Sequence, residues 1–345
     1  MMKKVLAVAA AAVFTGAAFS AGASAQEFYK GKQLRLIVSS AAGGGYDSVA
    51  RLMQRFMPQH IPGNPTIVVM NMPGAGGLIA TNHIANIAEK DGTVIALLNR
   101  YVTVMPVLGS EQAKFKSEEL QWIGTTASYS DNAYLLVIRS ALPHRTVADL
   151  RNPDMPINIG VTGTDVPAIL KEALGFNFKL ISGYKGSDDM ELAFERGEVD
   201  GHTSGYNSVL QRHPQWIEKG FIRTMMQFGR IDRLPILKDV PTARELAETP
   251  SDRALIEFAE LPLLIARPAA APPGTPADRV KILRDAFAKT MADPGHKAES
   301  DKQKLELSPK TGEEVQAIVA SLAKVDPVVI QRYLKALGGK LPSGG

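Results

Sequence analysis

Two glycine-rich runs in this sequence have the composition and spacing to hold an anion. The first, Ser39-Ser40-Ala41-Ala42-Gly43-Gly44-Gly45-Tyr46-Asp47, follows the apolar Leu34 to Val38; the second, Asn71-Met72-Pro73-Gly74-Ala75-Gly76-Gly77, follows Ile67 to Met70. Each stands between a strand-like run and a helical pattern. The first amides of a helix have no intrahelical partner, and the helix dipole adds about half a positive charge there, so a carboxylate or phosphate docks without a basic side chain. Glycine lets the backbone come that close. One such loop says little, because any strand-to-helix turn can use glycine. Two of them set their N–H groups along the carboxyl edge of one sheet, where open α/β folds bind ligands.

Other chemistry finds little footing. The sequence holds no Gly-x-x-x-x-Gly-Lys-Ser/Thr, Gly-x-Gly-x-x-Gly, His-Glu-x-x-His or Gly-x-Ser-x-Gly. The nearest miss is Gly201-His202-Thr203-Ser204-Gly205, whose spacing is wrong for a nucleophile elbow; a secreted serine hydrolase using Ser204 with His202 is kept as the enzyme alternative. The six histidines, at 60, 83, 144, 202, 213 and 296, lack a second ligand at metal-binding spacing, and no cofactor is expected. Glu118-Glu119 and Asp188-Asp189 read as helix-start acids that favour the dipole. Asp47 reads as a helix-start cap with Arg51 as its i,i+4 partner, and Lys185 as facing solvent or a lobe interface.

The elements that must position the loops alternate. Strand-like Leu34 to Val38, Thr66 to Met70 and Val94 to Leu98 are separated by helical patterns over 47–57 and 77–88, the signature of parallel α/β layering. A second series has strands at 134–138, 157–161, 178–181, 199–203 and 221–228, with helices at 165–174 and 188–196. Pro268 to Pro276 is too proline-rich for regular structure. Amphipathic helices follow, over 277–292 and, from the Thr311-Gly312-Glu313-Glu314 start signal, in pieces to Leu337 with a break at Pro327. The glycine-rich close is expected to fray.

Residues 1–25 carry a secretory signal: Lys3 and Lys4, the apolar Val5 to Ala18, then Ala23-Ser24-Ala25 before Gln26. The apolar part is shorter than the ~20 residues of a spanning helix, and no later run is long enough. Removing Lys3 and Lys4 lowers the formal charge from +4 to +2, which gives no basic face for nucleic acid. The absence of cysteine rules out disulfides, thiolate metal sites and a lipid-modified cysteine. The remaining length suits roughly two domains.

Ala42-Gly43-Gly44-Gly45-Tyr46-Asp47-Ser48-Val49-Ala50-Arg51 and Asn71-Met72-Pro73-Gly74-Ala75-Gly76-Gly77 resemble the A-G-G-x-x-D-x-x-A-R and N-R-P-G-A-G-G segments of the tripartite tricarboxylate transporter substrate receptors, the Bug or TctC family. Asp91-Gly92, Gly183-Tyr184-Lys185-Gly186, Gly197-Glu198-Val199-Asp200, Asp239-Val240-Pro241-Thr242 and Pro273-Gly274-Thr275-Pro276 continue the likeness along the mature chain. The resemblance implies a periplasmic receptor of the type II binding-protein fold: two α/β lobes, 26–128 with 230–345 and 129–229, that close like a Venus flytrap on a small organic carboxylate. It further implies delivery to integral membrane subunits, no catalytic turnover, and a grip made of backbone amides and ordered water. Carried onto this chain, the first-lobe grip is Ser40, Ala42, Gly43, Gly44, Gly45, Tyr46 and Asp47 with Pro73, Gly74, Ala75, Gly76 and Gly77. The opposing wall is Thr162, Gly163, Thr164 and Asp165 with Ser204 and Gly205. A monomer is expected; a sensory role toward a membrane kinase is the third reading.

The sequence departs from the family pattern at Met72, where arginine is usual, at Ser39-Ser40 in place of Pro-Phe, and at Ser182-Gly183-Tyr184 in place of Val-Pro-Tyr. Met72, Tyr46 and Tyr129 either enlarge one end of the cleft, which suits an aromatic or longer acid, or pack beside the loops.

Overall fold

The computed structural model describes residues 27–161, 166–184, 186–339 and 341. The segment expected to be a secretory signal, Lys185 and most of the closing tail lie outside those residues. In chain order the strands are β1 (Gln33–Val38), β2 (Thr66–Asn71), β3 (Val94–Leu97), β4 (Gln121–Thr125), β5 (Tyr134–Arg139), β6 (Ile157–Gly160), β7 (Phe178–Ile181), β8 (Gly201–Gly205), β9 (Ile222–Phe228), β10 (Pro268–Ala271) and β11 (Lys310–Thr311). Among the described residues they form two mixed sheets, β11-β4-β10-β3-β1-β2 and β7-β6-β8-β5-β9.

In the first sheet, Leu34, Leu36 and Val38 of β1 join one core cluster and Ile37 the other. A strand apolar on both faces belongs inside a sheet covered on both sides. β1 pairs in parallel with β2 and β3, as the alternating pattern requires. The proline-rich stretch departs from expectation: Pro268 to Ala271 is a fully buried strand, antiparallel between β3 and β4. Proline opens this strand, a position that tolerates its missing N–H, and its carbonyl accepts from the Leu98 amide at 2.8 Å. Ala269 and Ala271 join Phe287 in one cluster while Ala270 joins Trp122 in the other.

The second sheet keeps β6, β7 and β8 parallel and sets β5 antiparallel to β8 and β9. The layering is thus mixed in both sheets. Helices Leu78–Asn86 and Ser187–Arg196 fall close to where the sequence predicts them. Thr311 and Glu314 form a reciprocal capping box on Gly312–Leu322, and Pro327 opens the next helix, Pro327–Ala336. Helix Pro250–Leu264, which the sequence reading passes over, packs with Pro327–Ala336 against Val166–Leu174 of the second series. Arg332 fastens that meeting, reaching Glu172 at 3.3 Å and Asp252 at 2.6 Å.

Backbone hydrogen bonds tie the segments that pass between the sheets. The Thr126 amide donates to the Arg267 carbonyl (3.3 Å), the Ala266 amide to Ala127 (3.0 Å) and the Tyr129 amide to Leu263 (3.0 Å). Ser308 closes the other side of the same segment, donating from its amide to the Thr126 carbonyl and accepting on Oγ from the Ser128 amide.

Candidate functional site

Parallel β1 and β3 end at the edge where antiparallel β10 begins, so three connections meet there. Helix Gly45–Phe56 opens with Gly44 in the N-cap position and no side chain capping it. The amides of its first turn therefore have no intrahelical acceptor. Tyr46 stands on that turn, donates to the Ala266 carbonyl at 2.9 Å and accepts from the Arg100 amide at 3.4 Å. Ser39 Oγ accepts from the Asn99 amide (2.8 Å) and Asn99 caps the Tyr101 amide (2.9 Å), which fixes the turn carrying Arg100. Arg267 enters from the start of β10, held by its own amide on Thr125 Oγ1 (3.1 Å). A Cβ placed on Gly45 would lie 3.9 Å from Arg267 Nη2, so this guanidinium sits against the helix start.

The two guanidiniums share an unusual state. Among the described residues neither Arg100 nor Arg267 has a side-chain hydrogen bond or ion pair, and Arg100 Nε and Arg267 Nη1 are buried without a partner. The face of Tyr101, 5.1 Å from the Arg100 guanidinium, is a weak substitute for an anion. Arginine stays charged at any accessible pH, so this corner carries positive charge that no direct ion pair among the described residues neutralises.

Both groups line a cavity of about 680 Å³ together with Gly44, Gly45, Tyr46, Tyr129 and Tyr134. The facing wall comes from the second sheet: Thr203, Ser204 and Gly205 at the end of β8, and the start of helix Ser187–Arg196. Tyr129 packs so tightly on Gly205 that a Cβ there would lie 2.8 Å from its ring. Arg212 also borders the cavity, yet its charge is already matched by Asp188 and by Glu191 at 2.6 Å.

Of the residues expected in the first-lobe grip, Gly44, Gly45 and Tyr46 border the cavity. Ser40, Ala42, Gly43 and Asp47 do not. Asp47 is buried and committed, accepting from Arg51 Nε and the Gly43 amide at 2.9 Å each and from Asn71 Nδ2 at 3.0 Å. The Arg51 bond above all, then Gly43 and Asn71, hold its carboxyl below the usual range against the opposing effect of burial. It lies inside the first turn and reaches back to Gly43, so it is not the N-cap residue, while its i,i+4 pairing with Arg51 is as expected.

The second loop stands apart from this cavity. Pro73, Gly74, Ala75, Gly76 and Gly77 lie outside the lining of this cavity; Ala75 and Gly76 border a separate hollow with Met105 and Ser110. Residues 74 to 77 all have positive φ, which turns the chain sharply and seats Gly77 where a Cβ would be 2.9 Å from Asn99 Cβ. The Gly77 amide is used by the Gly74 carbonyl at 3.0 Å. The loop still acts at a distance, since Asn71 Nδ2 donates to the Ser40 carbonyl and braces the first loop. Met72 packs against the core. On the facing wall, Ser204 and Gly205 border the cavity, and Thr162, Gly163, Thr164 and Asp165 fall outside the described residues.

The hydrolase geometry is not formed. His202 is fully buried with both ring nitrogens unpartnered, packed edge-on against Phe194 at 4.7 Å, and makes no hydrogen bond to Ser204.

Two α/β sheets facing across a polar cleft, with cations that lack partners, define a solute-binding receptor. The chain belongs to the tripartite tricarboxylate transporter family receptor group, TctC, whose family model matches residues 49–334. It is 28% identical over 233 residues to the UPF0065 protein in the TAR-I ttuE-ttuC' intergenic region of Agrobacterium vitis, a match spanning 65% of this chain and 64% of that protein. Among solved structures it is similar to a TctC solute binding protein from Polaromonas without ligand, at 22% identity and TM-score 0.67, over 90% of this chain and all of that one. A protein of R. palustris with adipate is similar at 21% identity and TM-score 0.61, over 89% of this chain and 98% of that one. These likenesses agree with the two-sheet architecture as a type II periplasmic-binding-protein fold, and the family is one of receptors, not enzymes.

Proposed function

We propose that this protein is an exported, monomeric receptor that captures a small organic carboxylate between its two sheets and delivers it to the membrane subunits of a tripartite tricarboxylate transporter. The single observation that carries this reading is the unpaired state of Arg100 and Arg267 beside an uncapped helix start in a 680 Å³ cleft. A partly buried guanidinium without a counter-ion is costly, and a carboxylate supplies charge-assisted hydrogen bonds of the strongest protein kind. In this reading Gly44, Gly45, Tyr46, Arg100 and Arg267 grip the acid, while Ser204, Gly205 and residues 162–165 close from the other side. The lobes are 26–128 with 230–345 and 129–229, joined where Thr126 to Tyr129 pairs with Leu263 to Arg267. A ligand biases closure only by its affinity difference between open and closed forms, so contacts on the facing wall are required. The adipate held by the R. palustris relative supports an acid as guest.

The test is a thermal-shift screen of mono-, di- and tricarboxylates, aromatic ones included, on protein from Gln26 onward. Acid at a hundred times its dissociation constant adds about 2.7 kcal/mol of stability. A protein that no acid stabilises overturns the assignment.

A further inference from the structure

Behind the two guanidiniums lies a buried acid that the capture of an anion does not obviously need. Glu306 is 5% exposed, on the segment between helix Pro294–Lys302 and β11. Its Oε1 accepts from Asn132 Nδ2 at 2.8 Å, just ahead of β5. Oε2 is buried and has no hydrogen-bond partner of ordinary geometry, although the Tyr129 hydroxyl lies beside it. The charges of Arg267 and Arg100 act on this carboxyl, yet neither guanidinium forms an ion pair with it. A buried carboxyl and two half-buried guanidiniums thus lie within reach of one another's charge, each with a buried polar atom left over: Arg100 Nε, Arg267 Nη1 and Glu306 Oε2.

Resting on the receptor reading, we propose that Glu306 is the resident counter-charge of Arg100 and Arg267, so that an acid entering the cleft is captured together with a proton. With the cleft empty, one carboxylate partly offsets two guanidiniums. An incoming carboxylate supplies the second negative charge at the same corner, and the two anions then repel through a low-dielectric interior. Protonation of Glu306 relieves that repulsion, and Oε2, which has no partner as a carboxylate, is free to become a hydroxyl donor.

Burial already pushes the Glu306 carboxyl upward, against the Asn132 bond, Arg267, Tyr129 and Arg100, which pull it down. The other groups facing it do not compete for the proton. Burial raises the Tyr129 hydroxyl well above its ordinary value, so it stays neutral, and nearby Lys310 is paired with Asp131 at 3.4 Å. By reciprocity, the factor by which the ligand strengthens proton binding at Glu306 equals the factor by which the proton strengthens ligand binding. Affinity therefore rises as the pH falls toward the Glu306 range, about tenfold for each unit by which the acid raises that pKa.

The test is calorimetric titration of adipate, malate and benzoate into wild-type and Glu306→Gln protein, near pH 6 in two buffers of different ionisation enthalpy and again near pH 8. Glutamine keeps the carbonyl oxygen that accepts from Asn132. Protons taken up by the acids themselves are common to both proteins, so the difference between them isolates Glu306. The expected result is net extra proton uptake by the wild type and tighter binding by the variant, with an advantage that grows from pH 6 to pH 8 to roughly threefold or more as more of the wild-type carboxyl ionises. Equal proton uptake in the two proteins, or a variant that binds no tighter, overturns the proposal. If the variant does not fold, a wild type that takes up no proton overturns it alone. A wild type that binds none of the three acids refutes their capture in this cleft, and this inference with it; binding without proton linkage refutes only the role of Glu306.

Discussion

Arg100 and Arg267 carry the charge that the glycine loops were expected to replace. A charge-assisted hydrogen bond contributes about 1.5 to 3 kcal/mol, so Arg267→Met is expected to weaken binding of a responsive acid by roughly 10- to 100-fold by calorimetry. Arg51→Met, which loses only the pair with Asp47, leaves affinity unchanged. The two loops separate in the same assay. Gly45→Val places carbon in the space beside Arg267 and abolishes the acid-induced thermal shift, whereas Gly76→Ala strains a residue at φ 62 by about 1 to 2 kcal/mol without changing affinity. The sequence made the Asp47 and Arg51 pair legible because helical i,i+4 spacing is local. It also flagged the edge of β1. Arg100 sits three residues past the end of β3, at that same edge, and the strand-edge rule applied to every strand would have marked it. Arg267 gave no such signal, because it marks the edge only once Pro268 to Ala271 is known to be a strand running the other way.

That strand shows where element reading fails. Proline and three alanines carry almost no strand propensity, and tertiary burial between β3 and β4 decides the matter. Close packing of this sheet has a sharp test at Gly124 of β4, where a Cβ would fall 2.3 Å from Phe287 Cε1. Gly124→Ala should therefore lower unfolding free energy by at least about 1 to 3 kcal/mol in denaturant melts. The second sheet has a pH-dependent element in β8. Burial pushes His202 down to about 4, so the neutral ring is the folded form. Its folded value lies below the unfolded one, so the stability it contributes is complete above about pH 6.5 and is lost as the pH falls toward 4. The loss amounts to about 2 kcal/mol at pH 5. In His202→Phe the difference in unfolding free energy between pH 7.5 and pH 5 should shrink by about that amount.

At the scale of the molecule, the two-sheet plan was legible from alternating strand and helix patterns, while the bridge between the halves was not. Helix Pro250–Leu264 does carry a local start signal, Thr249 capping the Asp252 amide with Pro250 in the first position, but its contact with Val166–Leu174 joins residues distant in sequence. A second bridge is the buried Glu260, bonded to Arg244 Nε at 2.6 Å and to the Gly229 amide at 2.9 Å, just where the chain leaves β9. Removing one partner of a buried pair strands the other, so Glu260→Ala is expected to cost about 3 to 5 kcal/mol in the same melts. Arg267 stands just ahead of β10, its carbonyl accepts from the Thr126 amide, and it so forms part of the passage from one sheet to the other. In the proposed reading, recognition and bending are thereby welded at a single residue. Descendants that acquire a taste for a different molecule by altering this position inherit altered mechanics with it, so shifts in diet within such a lineage should be accompanied by shifts in how readily the jaws shut.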